Sequence, residues 1–215
     1  MKGLFVKDFC FVMKRKNTLL IMVCLCVMYM LLGMGSFALA FMTWMGAAVM
    51  MSTLAYDAMN RGLSYLFSLP ISRREYVYEK YLLCVIGGTL GMAIGLFTAV
   101  AGSLFGIEEI QLSEILPIAF VGYVFMFVFC SIFIPVDIKF GAEQSRIVTF
   151  GIMFVIVIIG VVASKFVSEE MIDDAFTYIG NLPLPIVGLT GLVIGAIFMV
   201  VSAIISVCII EKKEF

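Results

Sequence analysis

The chain has 215 residues, of which 63% are apolar and only 13% charged, with a mean hydropathy of +1.17. Too few polar residues remain to clothe a core of this size, which excludes an ordinary soluble domain. The net charge of −1 offers no basic field for nucleic acid, and the lack of histidine removes the usual base of intramembrane hydrolases.

In chain order, residues 1–16 read as an interfacial helix. Phe5, Phe9, Val12 and Met13 share one face and Lys7, Lys14 and Arg15 the other, although Leu4 and Phe11 fall on the basic side. Such a segment serves either as a topology-setting anchor drawn to anionic headgroups or as an elbow helix lying along the membrane. Lys14-Arg15-Lys16, the apolar run from Thr18 and the triplet Ala38-Leu39-Ala40 imitate a signal peptide. The apolar pattern continues to Tyr56, so this segment reads as retained helix.

A membrane-crossing helix needs about 20 apolar residues. Spans are expected over residues 18–34 and 37–56, with a turn at Gly35-Ser36, then over about 81–105, 115–136, 147–166 and 184–210. Pro117 and Pro135 bracket the fourth span and are expected to mark its ends. The outer stretch 167–183 is the longest loop, and Met171, Ile172, Ala175, Phe176 and Ile179 give it the spacing of a short surface helix.

Orientation follows from the basic residues. Lys2, Lys7, Lys14, Arg15 and Lys16 precede the first span; Arg61, Arg73, Arg74 and Lys80 lie between the second and third. Lys139 and Arg146 follow the fourth, and Lys212 and Lys213 follow the sixth. Lys165 is the one exception among fourteen. The opposite connections carry Glu108, Glu109, Glu114, Glu169, Glu170, Asp173 and Asp174. The expected chain is therefore an all-α integral membrane protein, a single domain of six transmembrane helices with both termini cytoplasmic.

Chemistry is scarce in these spans. No acidic or basic residue falls well inside one, which counts against an ion-coupled carrier, and no arginine-rich span exists to sense voltage. Cys24, Cys26, Cys84, Cys130 and Cys208 lie in apolar runs and Cys10 in the basic start, so reduced thiols are expected rather than disulfides. No phosphate-cradling Gly-x-x-x-x-Gly-Lys-Ser/Thr loop is present. Catalytic, cofactor-binding and metal-binding residues are not expected, and any ATP must be bound by another subunit.

The connection 57–80, DAMNRGLSYLFSLPISRREYVYEK, carries the most information. Met59, Leu63, Leu66 and Phe67 form one face of a helix over 58–69, with Asn60, Arg61, Ser64 and Ser68 on the other. Pro70 interrupts it. A new helix is expected to start at Ser72, where Ser72 and Glu75 have capping-box spacing and Ile71 and Tyr76 are placed as a hydrophobic staple. Continuing to Phe105, it would be roughly 50 Å long and reach beyond the hydrocarbon layer. The short helix suits a partner's groove; an ordinary returning turn, with arginines obeying the topology rule, accounts for the same segment.

Further along, Gly87, Gly91, Gly95, Ala99 and Ser103 recur every four residues as a small-residue ridge. It suits packing within the chain, a dimer contact or the wall of a substrate path. Phe37, Phe41, Trp44 and Phe105 suit a path for apolar cargo, and equally anchoring or lipid contact.

The stretch SLPISRREYVYEKYL resembles the cytoplasmic signature of small permease subunits of type-2 ATP-binding-cassette exporters. The matching residues are Leu69, Pro70, Ser72, Arg73, Glu75, Lys80 and Tyr81. The opening MKGLFVKDF and the six-span plan are similar too. In style the chain looks like the subgroup of staphylococcal exporters of amphipathic peptide toxins, the phenol-soluble modulins, and permeases for antimicrobial-peptide resistance.

The resemblance implies export of amphipathic peptides or other lipophilic compounds. It implies two permease copies, a homodimer or paralogous heterodimer, paired with separate ATPase subunits that bind ATP and Mg. Contact with the ATPase would fall to Asn60, Arg61, Leu63, Leu66 and Phe67. Leu69, Pro70, Ser72, Arg73 and Glu75 would hold the segment 57–72 against the third span. A non-transporting membrane scaffold is the competing expectation, and it leaves the Leu-Pro-x-Ser-Arg element unexplained.

Overall fold

The computed structural model describes residues 2–58, 62–68, 70–107, 112–166 and 184–213, and every element among them is helical. In chain order these are α1 (Lys2–Lys14), α2 (Lys16–Leu31), α3 (Gly35–Ala58), α4 (Gly62–Leu66), α5 (Arg73–Leu104), α6 (Leu112–Phe166) and α7 (Leu184–Lys212). Helices are the natural choice for so apolar a chain, because each satisfies its own backbone hydrogen bonds away from water. Four stretches are long and apolar enough to cross a bilayer: Gly35–Ala58, Arg73–Leu104, Pro117–Gly141 and Ile186–Lys212. The apolar stretches Lys16–Leu31 and Ile147–Ile159 are shorter. The expected loop 167–183 and its surface helix lie outside the described residues.

Two boundaries differ from expectation for identifiable reasons. The first hairpin turns at Gly33, not at Gly35-Ser36. The amide of Gly33 donates to Met30 O and that of Met34 to Tyr29 O, both at 3.0 Å. This closing pattern requires the left-handed backbone that Gly33 adopts at φ 68°. The other difference concerns Pro135: both prolines lie within α6, and Pro117 opens the apolar stretch Pro117–Gly141 as expected, but Pro135 does not end it. The interruption comes instead at Gly141, whose φ of 76° and ψ of 172° break the helix into two halves.

α3 is the central helix, packed along α5 on one side and the first half of α6 on another, while α7 lies along α6. Contact between α3 and α5 is a backbone approach. A Cβ on Gly91 would collide with Met42 O, one on Gly87 with Gly46 O, and one on Gly46 with Gly87 O. Gly95 would meet the Leu39 Cα at 3.0 Å. Ala99 is buried in line with them, whereas Ser103 is exposed. Gly87, Gly91 and Gly95 thus face α3 of the same chain, where small residues let two helix axes close up.

The rim is apolar. Ile147, Phe150 and Phe154 in the second half of α6, and Val193, Ile197 and Ile204 in α7, are exposed. Side chains of this kind on the outside suit lipid or another membrane helix, not water.

Replacing Gly91 by alanine should overpack the α3–α5 contact, destabilising the bundle by about 1–3 kcal/mol or more. Gly151→Ala, where an added Cβ meets nothing within 4 Å, should stay within about 0.5 kcal/mol of the parent. Thermal unfolding in detergent compares the two directly, and equal losses would show that the glycine approach is not what closes this contact.

Candidate functional site

The segment between α3 and α5 folds back onto the bundle. Asn60, Arg61 and Leu69 lie outside the described residues; the remainder is placed. α4 spans only Gly62–Leu66. Leu66 is buried at 7% exposure, and Leu63, Phe67 and Ile71 pack against the same apolar cluster as Tyr76, Val77 and Ile134. Leu63, Leu66 and Phe67 therefore seat α4 on the bundle. Ser64 and Tyr65 of α4, and Ser68 in the turn after it, face outward, with Tyr65 73% exposed. The apolar face proves to be the inner one because the nearest apolar surface belongs to the chain itself.

Pro70 leads into the N-terminus of α5, where Ser72 is extended at φ −76°, ψ 144°. The Glu75 amide donates to Ser72 Oγ at 3.2 Å and the Ser72 amide to Glu75 Oε2 at 3.4 Å. Both halves of the expected capping box are in place, so two orphan amides are satisfied and the helix start is fixed. Arg73 does more than flank it. Its guanidinium donates to the carbonyls of Ile210 (2.9 Å), Glu211 (2.9 Å) and Lys213 (3.0 Å), capping the C-terminus of α7. Arg74 pairs with Glu211 at 2.7 Å. Lys213 in turn donates to Ile138 O at 2.9 Å, tying the same end to the first half of α6.

Behind this cap sits a buried charge cluster. Lys80, 1% exposed, pairs with Asp8 of α1, itself 1% exposed, and with Asp57 at the end of α3 at 2.8 Å. Its ammonium also donates to Thr53 Oγ1 at 3.1 Å. Lys7 closes the ring, reaching Asp57 at 2.6 Å and Asp8 at 3.2 Å. Burial works against the Lys7 ammonium, but its bond to Asp57 and the charges of Asp57 and Asp8 outweigh this and raise its pKa. Tyr76 donates its hydroxyl to Asp57 at 3.2 Å. Glu79 is also buried, with neither oxygen hydrogen-bonded and Lys80 3.9 Å away.

Tyr81, the next residue, faces elsewhere. Its hydroxyl lies 2.6 Å from Ser202 Oγ and 2.9 Å from Ser206 Oγ on α7, and Ser202 donates to Ser131 O of α6 at 2.6 Å. Adjacent helical residues point about 100° apart. Lys80 and Tyr81 therefore clamp α5 to α1 and α3 on one side and to α7 and α6 on the other.

α4 joins this network through aromatic contacts. The Phe67 ring meets Tyr76 edge-on at 5.7 Å between centroids, and the Arg73 guanidinium lies 5.7 Å from the Phe67 ring. Any displacement of α4 thus bears on Tyr76, which holds Asp57, which holds Lys80. In sequence Lys80 stands out as a topology-setting cation and as part of the signature stretch, while Asp8, Asp57 and Thr53 carry no comparable mark. The available signal was register: Lys80 falls on the stripe Tyr76, Val77, Lys80, Cys84, and Asp8 on the stripe Leu4, Asp8, Val12, all buried. In that register Leu4 and Val12 of α1 turn inward, while Phe9 and Met13 are exposed.

Lys80→Met leaves Asp8 and Asp57 buried with less compensation and should cost about 3–5 kcal/mol of stability. The double variant Lys80→Met/Asp8→Leu should recover a large part of that loss, because Lys7 still serves Asp57. Denaturation in detergent micelles measures the coupling, and strictly additive losses would contradict the pairing.

The cluster, the capped start of α5 and α4 all gather at one end of the bundle, with no group of ligands suited to a metal among the described residues. No curated protein and no solved structure matches the chain. The ABC-2 family transporter protein family matches it over residues 3–211, nearly end to end, and the chain belongs to this family of membrane transport components.

Proposed function

We propose that the chain is the membrane permease of an ATP-driven exporter, carrying amphipathic peptides or other lipophilic compounds out of the cell. In this reading it crosses the membrane six times with both termini cytoplasmic, α2 and the second half of α6 supplying the two shorter crossings. It works beside a second permease copy, identical or related. A separate ATPase subunit binds ATP and Mg and performs the hydrolysis.

One observation carries the reading: α4 is a short helix seated by its apolar face, presenting a polar, aromatic-tipped face outward. Such an element can be pushed by a docked subunit without peeling from the bundle. The force passes through Phe67 and Tyr76 to the ion cluster, and through Arg73 to the end of α7. α5 receives both inputs at its capped start and extends about 48 Å as one helix, a rigid lever across the bilayer. The cargo class rests on the resemblance of the stretch SLPISRREYVYEKYL to exporters of this kind.

The geometry also selects the variants. Leu66 is buried, so an aspartate there would damage folding before it touched a partner. Ser64→Glu with Tyr65→Glu changes only the outward face and should abolish co-purification with the ATPase while leaving thermal stability within about 1 kcal/mol. Undiminished co-purification would remove α4 as the docking element, and if no ATPase accompanies the parent chain either, a non-transporting scaffold replaces the permease.

A further inference from the structure

Outside the charge cluster, the space between α1, α2, α3 and α5 forms a lateral groove of about 410 Å³. Val12 and Met13 of α1, Leu19 and Met22 of α2, and α5 from Gly87 to Phe97, a run of roughly 15 Å, line it. The lining is almost wholly apolar. It offers essentially nothing to pair with peptide N–H and C=O groups, which are costly to bury alone. A hydrocarbon chain has no such groups.

At the head of the groove the chain bends between α1 and α2. There Lys14, Arg15, Lys16, Asn17 and Thr18 line a polar recess of about 450 Å³. Recess and groove are contiguous in sequence: Met13 and Leu19 border the groove, and their neighbours Lys14 and Thr18 border the recess. Arg15 lies over the Phe11 ring at 4.7 Å. Among the described residues none of the three cations has an acidic partner. Three consecutive cations without an acidic partner among the described residues, next in sequence to the lining of an apolar slot, match a molecule with an anionic head and a hydrocarbon tail.

We propose that this elbow is a specific site for an anionic phospholipid, its phosphate held by Lys14, Arg15 and Lys16 and one acyl chain lying along α5. The lipid would sit against Val12 and Met13 of α1, within two turns of Asp8, so its occupancy would brace the helix that the Lys80 pair also holds. This site stands apart from ATPase docking and is tested on the permease alone, so either reading can fail without the other.

The protein is purified in mild detergent and titrated with phosphatidylglycerol or phosphatidylcholine, and bound lipid is counted by native mass spectrometry. One phosphatidylglycerol should be retained in preference to phosphatidylcholine. Lys14→Gln/Lys16→Gln should weaken its retention by roughly an order of magnitude, and Ala93→Phe, which fills the groove from an exposed position, should lower retention of the bound lipid as strongly. Lys139→Gln/Lys212→Gln, with the same loss of charge elsewhere, should change nothing. Equal retention of both lipids, or equal weakening by the control pair, would reduce the effect to general attraction and overturn the site. Lipid retention unaffected by Ala93→Phe, alongside loss of amphipathic-peptide export in reconstituted vesicles, would assign the groove to cargo instead.

Discussion

An ammonium group sealed inside an apolar bundle dictates much of the rest. Lys80 has almost no access to solvent, and a bare charge in such surroundings costs several kcal/mol even after relaxation. It is tolerable only because Asp8, Asp57 and Thr53 reach it from two other helices. That requirement fixes the rotation of α5, places the end of α3, and pulls α1 against the bundle with its acidic residue inward. The cluster holds three carboxylates to two ammonium groups once Glu79 is included, so it is polar enough to demand one arrangement and too constrained to accept a slipped one.

The same end of the molecule is tied a second time from the opposite side. Arg73 closes the C-terminus of α7, Arg74 holds Glu211, and Lys213 reaches the first half of α6. Further along α5, Tyr81 and the serines of α7 continue the tie without charge. Beyond these bonds the helices are joined by shape. The glycines of α5 and α3 interlock backbone to backbone, and Gly188 and Gly195 of α7 make room for the rings of Phe120 and Phe127 of α6. One end of the bundle is therefore cross-linked by charge and hydrogen bonds, while the remainder is held mainly by packing. A load applied at the cross-linked end is shared by α1, α3, α5, α6 and α7 together.

Much of this was legible as sequence, for physical reasons. Apolar run length is a direct reading of what can cross a bilayer. The Ser72–Glu75 cap depends on four consecutive residues, and the helix it starts runs to Leu104 as its unbroken apolar pattern required. Local chemistry also misled where two neighbours offered the same service. Gly33 and Gly35 can both turn a hairpin, and only the hydrogen bonds to Tyr29 and Met30 chose the first. Pro135 suggested the end of the fourth span, yet proline within a membrane helix is accommodated when its surroundings re-satisfy the backbone, and Gly141 broke the helix instead.

Composition and local order thus determined an all-helical, membrane-embedded chain and the capped start of α5, because those depend on residues close together in the sequence. Tertiary structure decided which residues meet. Asp8 and Lys80 stand 72 residues apart, Arg73 and Ile210 137 apart, and no spacing rule connects them. It also decided which face of α4 was inward: Leu63, Leu66 and Phe67 were visible as an apolar stripe, but a stripe does not say whether its cover is a partner or the chain's own core. Here the core reached it first, leaving Tyr65 and its serine neighbours outside.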